Sequence, residues 1–382
     1  MDFQLTEDQK LLRQSVREFA ETEIAPHTRR LDESKEFPFE IFRKMGPMGY
    51  LGVTVPDTWD GAGMSFLDYA IIIEEIARVD PAIALGVAAH NGLCTSHLYR
   101  FGSDDLKRRY LGRLTRGEVL GAWSLTEPTA GSDAGGTRSR AVRDGDHWVL
   151  NGSKTFATHG SVGHLCVVFC VTSPEKGKKG ISAFLLEKGM EGFRHGKVED
   201  KMGMRASDTA EVIMESCRVP ASHLIGEEGM GFVNALEILD RGRIAIASLG
   251  LGTAQGAFEV ARKYAKERQQ FGKPIATFQA ISFMLADMAV RIDASRLLTY
   301  RAACIVDAGT ERVTRAAAMA KLYSSETAVW VADHAVQILG GYGYIKDFPA
   351  EKYFRDAKLC TIGEGTSEIQ RLVIARSVLG LA

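Results

Sequence analysis

Apolar positions along the chain fall into three successive rhythms. Up to about residue 120 they recur at helical spacing. Leu11, Leu12, Val16 and Phe19 follow Thr6-Glu7-Asp8-Gln9, where a hydroxyl three residues before a glutamine predicts an N-cap. Tyr69, Ile72, Ile73, Ile76 and Ala77 form a second helical face, which Asp80-Pro81 should end because proline disfavours the α conformation in the residue before it. From about Gly121 to Pro220 the pattern turns strand-like. Leu165 to Val171 and Ile181 to Leu186 are continuous β-branched or aromatic runs between glycine-rich loops, as buried strands should be. Trp148-Val149-Leu150 runs into Asn151-Gly152, a dipeptide that predicts a hairpin turn. Helical spacing returns at about Gly231, with one stripe through Ala254, Ala257, Phe258, Ala261, Tyr264 and Ala265. Others run from Ile281 to Leu298 and from Met319 to Ile338, and Leu372 to Leu379 closes the chain. Four long antiparallel helices with short connections predict a bundle. The fold class expected is α+β, with a helical domain at 1–120, a β domain at 121–230 and a four-helix bundle at 231–382.

Composition narrows the class. A chain of 382 residues exceeds what one core usually organises, and 45% hydrophobic with 25% charged residues describes an ordinary globular protein. A net charge of −1 argues against binding a nucleic-acid backbone. The densest basic run, Lys176-Gly177-Lys178-Lys179, reads as a hairpin loop. Six cysteines show no C-x-x-C pair and no metal-ligand spacing with histidine, so no metal site is expected and the thiols read as reduced. No apolar run reaches the roughly 18 residues of a membrane span, and no signal peptide is visible at Met1-Asp2-Phe3-Gln4. These features predict a cytoplasmic protein, or a mature protein of the mitochondrial matrix, with no membrane insertion.

Candidate chemistry concentrates near the C-terminus, in Arg355-Asp-Ala-Lys-Leu-Cys-Thr-Ile-Gly-Glu-Gly-Thr-Ser-Glu-Ile-Gln-Arg371. Glycines on both sides of Glu364 permit a tight turn that can aim its carboxylate into a cleft as a base; a solvated loop is the alternative. The segment Trp123-Ser-Leu-Thr-Glu-Pro-Thr-Ala-Gly-Ser-Asp133 offers hydroxyls and backbone amides suited to a polar heterocycle and to phosphate or carbonyl groups, or it is a polar inter-strand loop. Phe156, read alone, is a core residue, and Arg268 alone is a surface helix charge. Lys201 to Glu211 reads as a strand entry with a polar knot.

Taken together, in order and spacing along essentially the whole chain, these blocks resemble the acyl-CoA dehydrogenase family of flavoenzymes. The resemblance implies a helical N-terminal domain, a β-barrel-like middle domain, a C-terminal four-helix bundle, and FAD as cofactor. It makes Glu364 the catalytic base. It places Trp123, Leu125, Thr126, Gly131 and Ser132 over the flavin, with Thr126 bonding the ring and Ser132 also meeting the CoA portion of the substrate. Phe156 and Thr158 match positions that stack on the ring and bond its N5; relatives often carry tryptophan where this chain has Phe156. Arg268, Gln270, Phe271 and Gln279 match positions that meet the FAD pyrophosphate of a neighbouring subunit, and Gln337, Gly340 and Gly341 match those that hold its adenosine part. Thr366 and Glu368 complete the cofactor set. Asp240 and Arg243 match CoA contacts, and Gly363 and Gly365 flank the acyl group. Sharing sites in this way implies an oligomer, a homotetramer built as a dimer of dimers.

The implied reaction converts an acyl-CoA thioester to a trans-2-enoyl-CoA. Glu364 takes the α proton, flavin N5 takes the β hydride, and the Glu364 N–H with a flavin ribityl hydroxyl binds the thioester oxygen. Gly242 stands where one branch of the family, the isovaleryl and long-chain enzymes, carries its base, which leaves Glu364 as the candidate. With no G-x-G-x-x-G between a strand and a helix, nicotinamide binding is not expected, and the implied electron acceptor is electron-transferring flavoprotein. Gly363 replaces a tyrosine common in short- and medium-chain relatives. That predicts a wide pocket for branched, cyclic or aryl acyl groups, unless Met204, Phe283 or another side chain refills the space. Rival readings are an acyl-CoA oxidase, and an inert flavin-binding scaffold or nucleic-acid-binding relative.

Overall fold

The structure, a computed structural model, describes residues 4–381. The Glu7–Phe19 helix opens with the expected capping box: Thr6 Oγ1 accepts from Gln9 N at 3.2 Å, and Gln9 Oε1 accepts from Thr6 N at 3.1 Å. The Phe66–Val79 helix stops at Asp80, whose side chain accepts from Ala82 N and so caps the following Pro81–Ala88 helix. The chain then passes through a π-helical segment, Ala89–Thr95, before two more helices lead into the β region.

The strands are β1 (Gly121–Ser124), β2 (Arg140–Asp144), β3 (His147–Thr158), β4 (Leu165–Val171), β5 (Ile181–Glu187), β6 (Phe193–Val198), β7 (Thr209–Pro220) and β8 (Leu224–Ile225). They form one sheet in the order β6-β7-β3-β2-β4-β5-β8, with β1 parallel to β4. The continuous apolar run of β4 follows from cover on both faces. Leu165, Val167 and Phe169 pack against Leu98, Leu106, Leu111 and Leu114 of the N-terminal helices. Cys166, Val168 and Cys170 face Trp148, Phe184, Val212 and Met214 within the sheet. The Lys176 to Lys179 run lies in the turn between antiparallel β4 and β5, as read from the sequence.

The Asn151-Gly152 expectation is corrected. Both residues lie inside β3, and the β2–β3 turn is made instead at Gly145, with φ of +60°. Gly152 has φ of +146° at a register shift between β3 and β7, so its conformational freedom serves a bulge rather than a reversal.

Three long helices, Gly231–Glu267, Gln279–Ala308 and Thr314–Leu339, build most of the bundle. The fourth helix, read at Leu372 to Leu379, is the short Ser367–Leu379 helix, and a further helix, Ala350–Cys360, precedes it across the Glu364 turn. One core joins Ile72, Ile73 and Ile76 of the N-terminal region to Ile244, Leu249, Ala303 and Ala320 of the bundle. Gly231–Glu267 is long and apolar enough to cross a membrane by length and composition, but 78% of its most apolar window is buried inside the fold.

Candidate active site

The break between the last two helices is a left-handed turn. Glu364 has φ of +52° and Gly365 φ of +97°. A non-glycine residue held there carries strain of roughly 1–3 kcal/mol, which persists only where the surroundings enforce it. Here two buried side chains do so. Gln370 Nε2 donates to the Gly365 carbonyl at 2.9 Å and reaches the Glu364 carbonyl at 3.4 Å. Lys321 Nζ, from the Thr314–Leu339 helix, donates to the same Gly365 carbonyl at 2.7 Å. Thr366 caps the Ser367–Leu379 helix, accepting from Ile369 N, so its hydroxyl already has a structural task.

The turn delivers the Glu364 carboxylate onto the Gly231–Glu267 helix at Gly242. A Cβ added at Gly242 would lie 2.2 Å from Glu364 Oε2 and 3.3 Å from Leu93 Cδ2. Gly242 is therefore required small because the carboxylate occupies its side-chain space. Oε2 is sealed from solvent and accepts no hydrogen bond among the described residues. Burial pushes the carboxyl up to about 7, against the opposing pull of Lys321 and Arg243. The Glu364 N–H also makes no hydrogen bond to protein among the described residues. Tyr69 approaches from the Phe66–Val79 helix, its buried hydroxyl donating to the Ala88 carbonyl at 3.1 Å. Burial, and next the Glu364 charge, keep that hydroxyl far above its ordinary range. Among the described residues other than its two chain neighbours, the nearest atoms to a Cβ added at Gly363 are Leu359 O at 3.7 Å and Leu359 Cδ1 at 4.0 Å, so that position is open to a side chain. Arg243 donates to Asp240 Oδ1 at 2.6 Å, and Thr314 Oγ1 holds Asp240 Oδ2 at 2.5 Å.

A second constellation lies on the sheet. Thr155 and Phe156 fall in a register shift between β3 and β7, and Phe156 has φ of +60° with 65% of its surface exposed. The core reading of Phe156 is thus overturned, because the bulge turns its ring outward. Thr155 N donates to the Thr126 carbonyl at 2.9 Å, which draws the Thr126 loop beside that ring. The loop is organised by buried Glu127, which accepts from Lys154 Nζ at 2.7 Å, Arg138 N at 2.7 Å and Ser139 N at 2.9 Å. Beyond it, Gly131 and Ser132 stand exposed, with nothing within 4 Å of a Gly131 Cβ. Leu125 is buried, while Trp123 is half-buried and gives its indole N–H to His97 Nδ1 at 3.2 Å. Thr158 precedes a turn that Asp208 secures by accepting from Ser161 N at 2.9 Å and Ser161 Oγ at 2.6 Å, the polar knot expected of that segment.

The remaining predicted residues gather at one end of the bundle. Arg268 places its guanidinium 5.8 Å from the centroid of the Tyr342 ring, just past Gln337, Gly340 and Gly341. Phe271 is 90% exposed with φ of +52°, its ring 5.9 Å from Phe278, which directly precedes Gln279. Arg268, Gln270, Gln279, Gln337, Gly340 and Gly341 are exposed as well. Among the described residues no hydrogen bond or ring contact joins this group to Phe156 or Glu364. Glu368 is exposed in the first turn of the last helix.

Lys321, Gln370 and Tyr69 were missed as site residues by the sequence reading. Lys321 left a signal, a lone charge between Met319 and Leu322 on an apolar stripe; the others depend on tertiary contacts. No cluster of histidine, cysteine or acidic side chains able to hold a metal occurs among the described residues. A groove of about 380 Å³ lined by Glu21, Asp32, Arg78, Glu259 and Lys352 lies apart from Glu364 and contains none of the predicted site residues.

Comparison with known proteins gives concordant matches. Family models described as acyl-CoA dehydrogenase N-terminal, middle and C-terminal domains match residues 6–118, 122–217 and 229–379. A Clostridium acetobutylicum protein named acyl-CoA dehydrogenase, short-chain specific, is 48% identical, covering 99% of this chain and 100% of the relative. A chain solved in work on the electron-transferring flavoprotein of Acidaminococcus fermentans superposes with a TM-score of 0.98 at 46% identity, covering 99% of this chain and 100% of that one. Butyryl-CoA dehydrogenase from Megasphaera elsdenii superposes at 0.97 with 40% identity, covering 99% of this chain and 100% of that one.

Proposed function

The chain belongs to the acyl-CoA dehydrogenase family, and on that premise we propose that it converts a short acyl-CoA thioester to a trans-2-enoyl-CoA with Glu364 as the base. It is an oxidoreductase, and its cofactor is FAD. The residues present fit that group: an outward-facing Phe156 ring at a strained bulge for the flavin, the Thr126 loop beside it, and the exposed turns at Gly131 and Gly340-Gly341 where a ligand could approach the backbone. FAD, when bound, supplies the acceptor for the β hydride.

The protein's part is to make the α proton removable. Glu364 Oε2, having no hydrogen-bond donor of its own, is free to receive that proton, and a carboxyl raised to about 7 is matched to a base working near neutrality. The uncommitted Glu364 N–H is a donor for the thioester oxygen as negative charge grows there; one such donor is typically worth roughly 2.7–4 kcal/mol. Asp240, fixed by Arg243 and Thr314, and Ser132, on its open loop, are the contacts assigned to the CoA chain. Arg268, Gln270, Phe271, Gln279, Gln337, Gly340 and Gly341 are assigned to the FAD of a second subunit. The exposed Phe271 ring supports a homotetramer in which that surface is covered. Electron-transferring flavoprotein is the assigned acceptor.

The observation that carries the reading is the unpartnered Glu364 carboxylate seated on Gly242. The open space at Gly363 supports tolerance of branching or a ring near Cα and Cβ. Recording the visible spectrum of the purified protein during anaerobic titration with straight, branched and cyclic acyl-CoA esters tests both parts. Bleaching of the bound flavin by short esters, branched ones included, is expected. A flavin that no thioester bleaches would reject the reaction, and an optimum confined to unbranched esters would reject the wide pocket.

A further inference from the structure

The mechanism above leaves one buried ionisable group beside the turn unused. Lys321 is fully buried, and its ammonium donates to a backbone carbonyl, that of Gly365, rather than to a carboxylate. A buried cation without an anionic partner at hydrogen-bond distance is expensive unless something nearby benefits from it. The groups facing it are Cys360 at the end of the Ala350–Cys360 helix, Glu364 in the turn, Arg243 from the Gly231–Glu267 helix, and Glu368 in the last helix, while Tyr69 of the Phe66–Val79 helix faces Glu364. Arg243 bears on Glu364 as well: Lys321 and then Arg243 are the charges that oppose the effect of its burial.

We propose that Lys321 is a positioning residue for the base: its ammonium clamps the Gly365 carbonyl to enforce the left-handed turn, and its buried charge keeps the Glu364 carboxyl partly ionised. The two effects use the same atom. Clamping Gly365 fixes where Glu364 points, and the charge that makes the clamp also favours the carboxylate form the base needs. Burial pushes Lys321 itself down to about 8, and the neighbouring Cys360 and Glu364 partly oppose this, so it remains largely protonated around neutral pH. Gln370 bonds the same carbonyl without a charge, so the turn has one neutral support and one charged one. This inference rests on Glu364 being the base.

Three substitutions in the holoenzyme separate the two effects. Lys321→Met removes the clamp and the charge, Lys321→Gln keeps a donor without the charge, and Lys321→Arg keeps the charge. Two readouts are taken for each: the acidic limb of kcat/KM against pH, and the infrared band of the protonated Glu364 carboxyl, identified by its absence from Glu364→Gln. Both the Met and Gln variants should move the limb and the band upward by about one pH unit, with roughly fivefold lower kcat/KM at pH 7 from protonation alone. The Met variant should lose further rate that the Gln variant retains, and the Arg variant should titrate like the parent. A neutral variant whose limb and band stay in place, while Glu364→Gln is inactive, would overturn the role of Lys321. Activity surviving in Glu364→Gln would instead overturn the base assignment.

Discussion

Glu75, in the Phe66–Val79 helix, is fully buried, and Glu364, in the turn before the last helix, is half-buried with its Oε2 sealed from solvent. Glu75 is 1% exposed and meets Arg13 at 2.7 Å, Arg17 at 2.9 Å and Arg78 at 3.1 Å. Burial alone would raise its pKa, but the hydrogen bonds and charges of Arg17 and Arg13 outweigh burial, and the carboxyl sits below its ordinary range. Glu364 has Lys321 and Arg243 nearby but no donor on Oε2, and burial wins. The difference lies in the hydrogen bonds. A buried carboxylate whose oxygens are satisfied by guanidinium groups ties helices together, whereas one left unsatisfied is unstable as an anion and hence reactive toward a proton. Glu75 stitches Glu7–Phe19 to Phe66–Val79; Glu364 keeps an acceptor oxygen without a donor.

The sharpest break in the comparison comes from removing the charge of each residue. Glu364→Gln should retain flavin yet lower the rate of flavin reduction by roughly 10²–10⁴-fold, the range attributed to a positioned base. Stopped-flow bleaching measures it. Glu75→Ala should leave the pH profile of flavin reduction in place but destabilise the protein by about 3–5 kcal/mol, because three arginines lose a buried partner. Urea unfolding measures that loss.

The pH dependence of stability should carry opposite signs at the two sites. Glu75, with its lowered folded value, contributes stability above the ordinary carboxylate range, lost as pH falls through the lowered value. Glu364, raised from 4.5 to about 7, costs stability as pH rises through that interval. At pH 8 the Glu364→Gln protein should therefore be more stable than the parent, by at most about 3 kcal/mol. Thermal unfolding at pH 5 and pH 8 distinguishes the pair, since the gain should shrink at the lower pH. The smallest expected effect is at the sheet. Phe156→Ala should weaken FAD binding by about 0.5–1.5 kcal/mol, the value of an aromatic stack, read as a higher Kd in flavin reconstitution.

How much of this was legible beforehand follows the range of the interactions. The Thr6 capping box, the Asp80-Pro81 helix end and the two-sided burial of β4 rest on neighbours in sequence, and spacing revealed them. Asn151-Gly152 carried the right local cue for a turn, but nine pairings between β3 and β7 hold it in a strand and convert the glycine into a bulge. Phe156 alone read as core, since periodicity says nothing of a register shift that turns a side chain outward. Glu364 stood out because glycines flank it in sequence. The partners that set its properties lie far away along the chain: Lys321, Gly242, Leu93 and Tyr69 meet it only once the bundle and the N-terminal helices have packed.

The most direct test of the unpaired Glu364 carboxyl as the base is the rate of anaerobic flavin reduction by a short acyl-CoA between pH 5 and pH 9. The parent should show an acidic limb centred near 7, and Glu364→Gln should show no fast reduction at any pH. A limb at the ordinary glutamate value, or full-speed reduction in the Gln variant, would contradict the account.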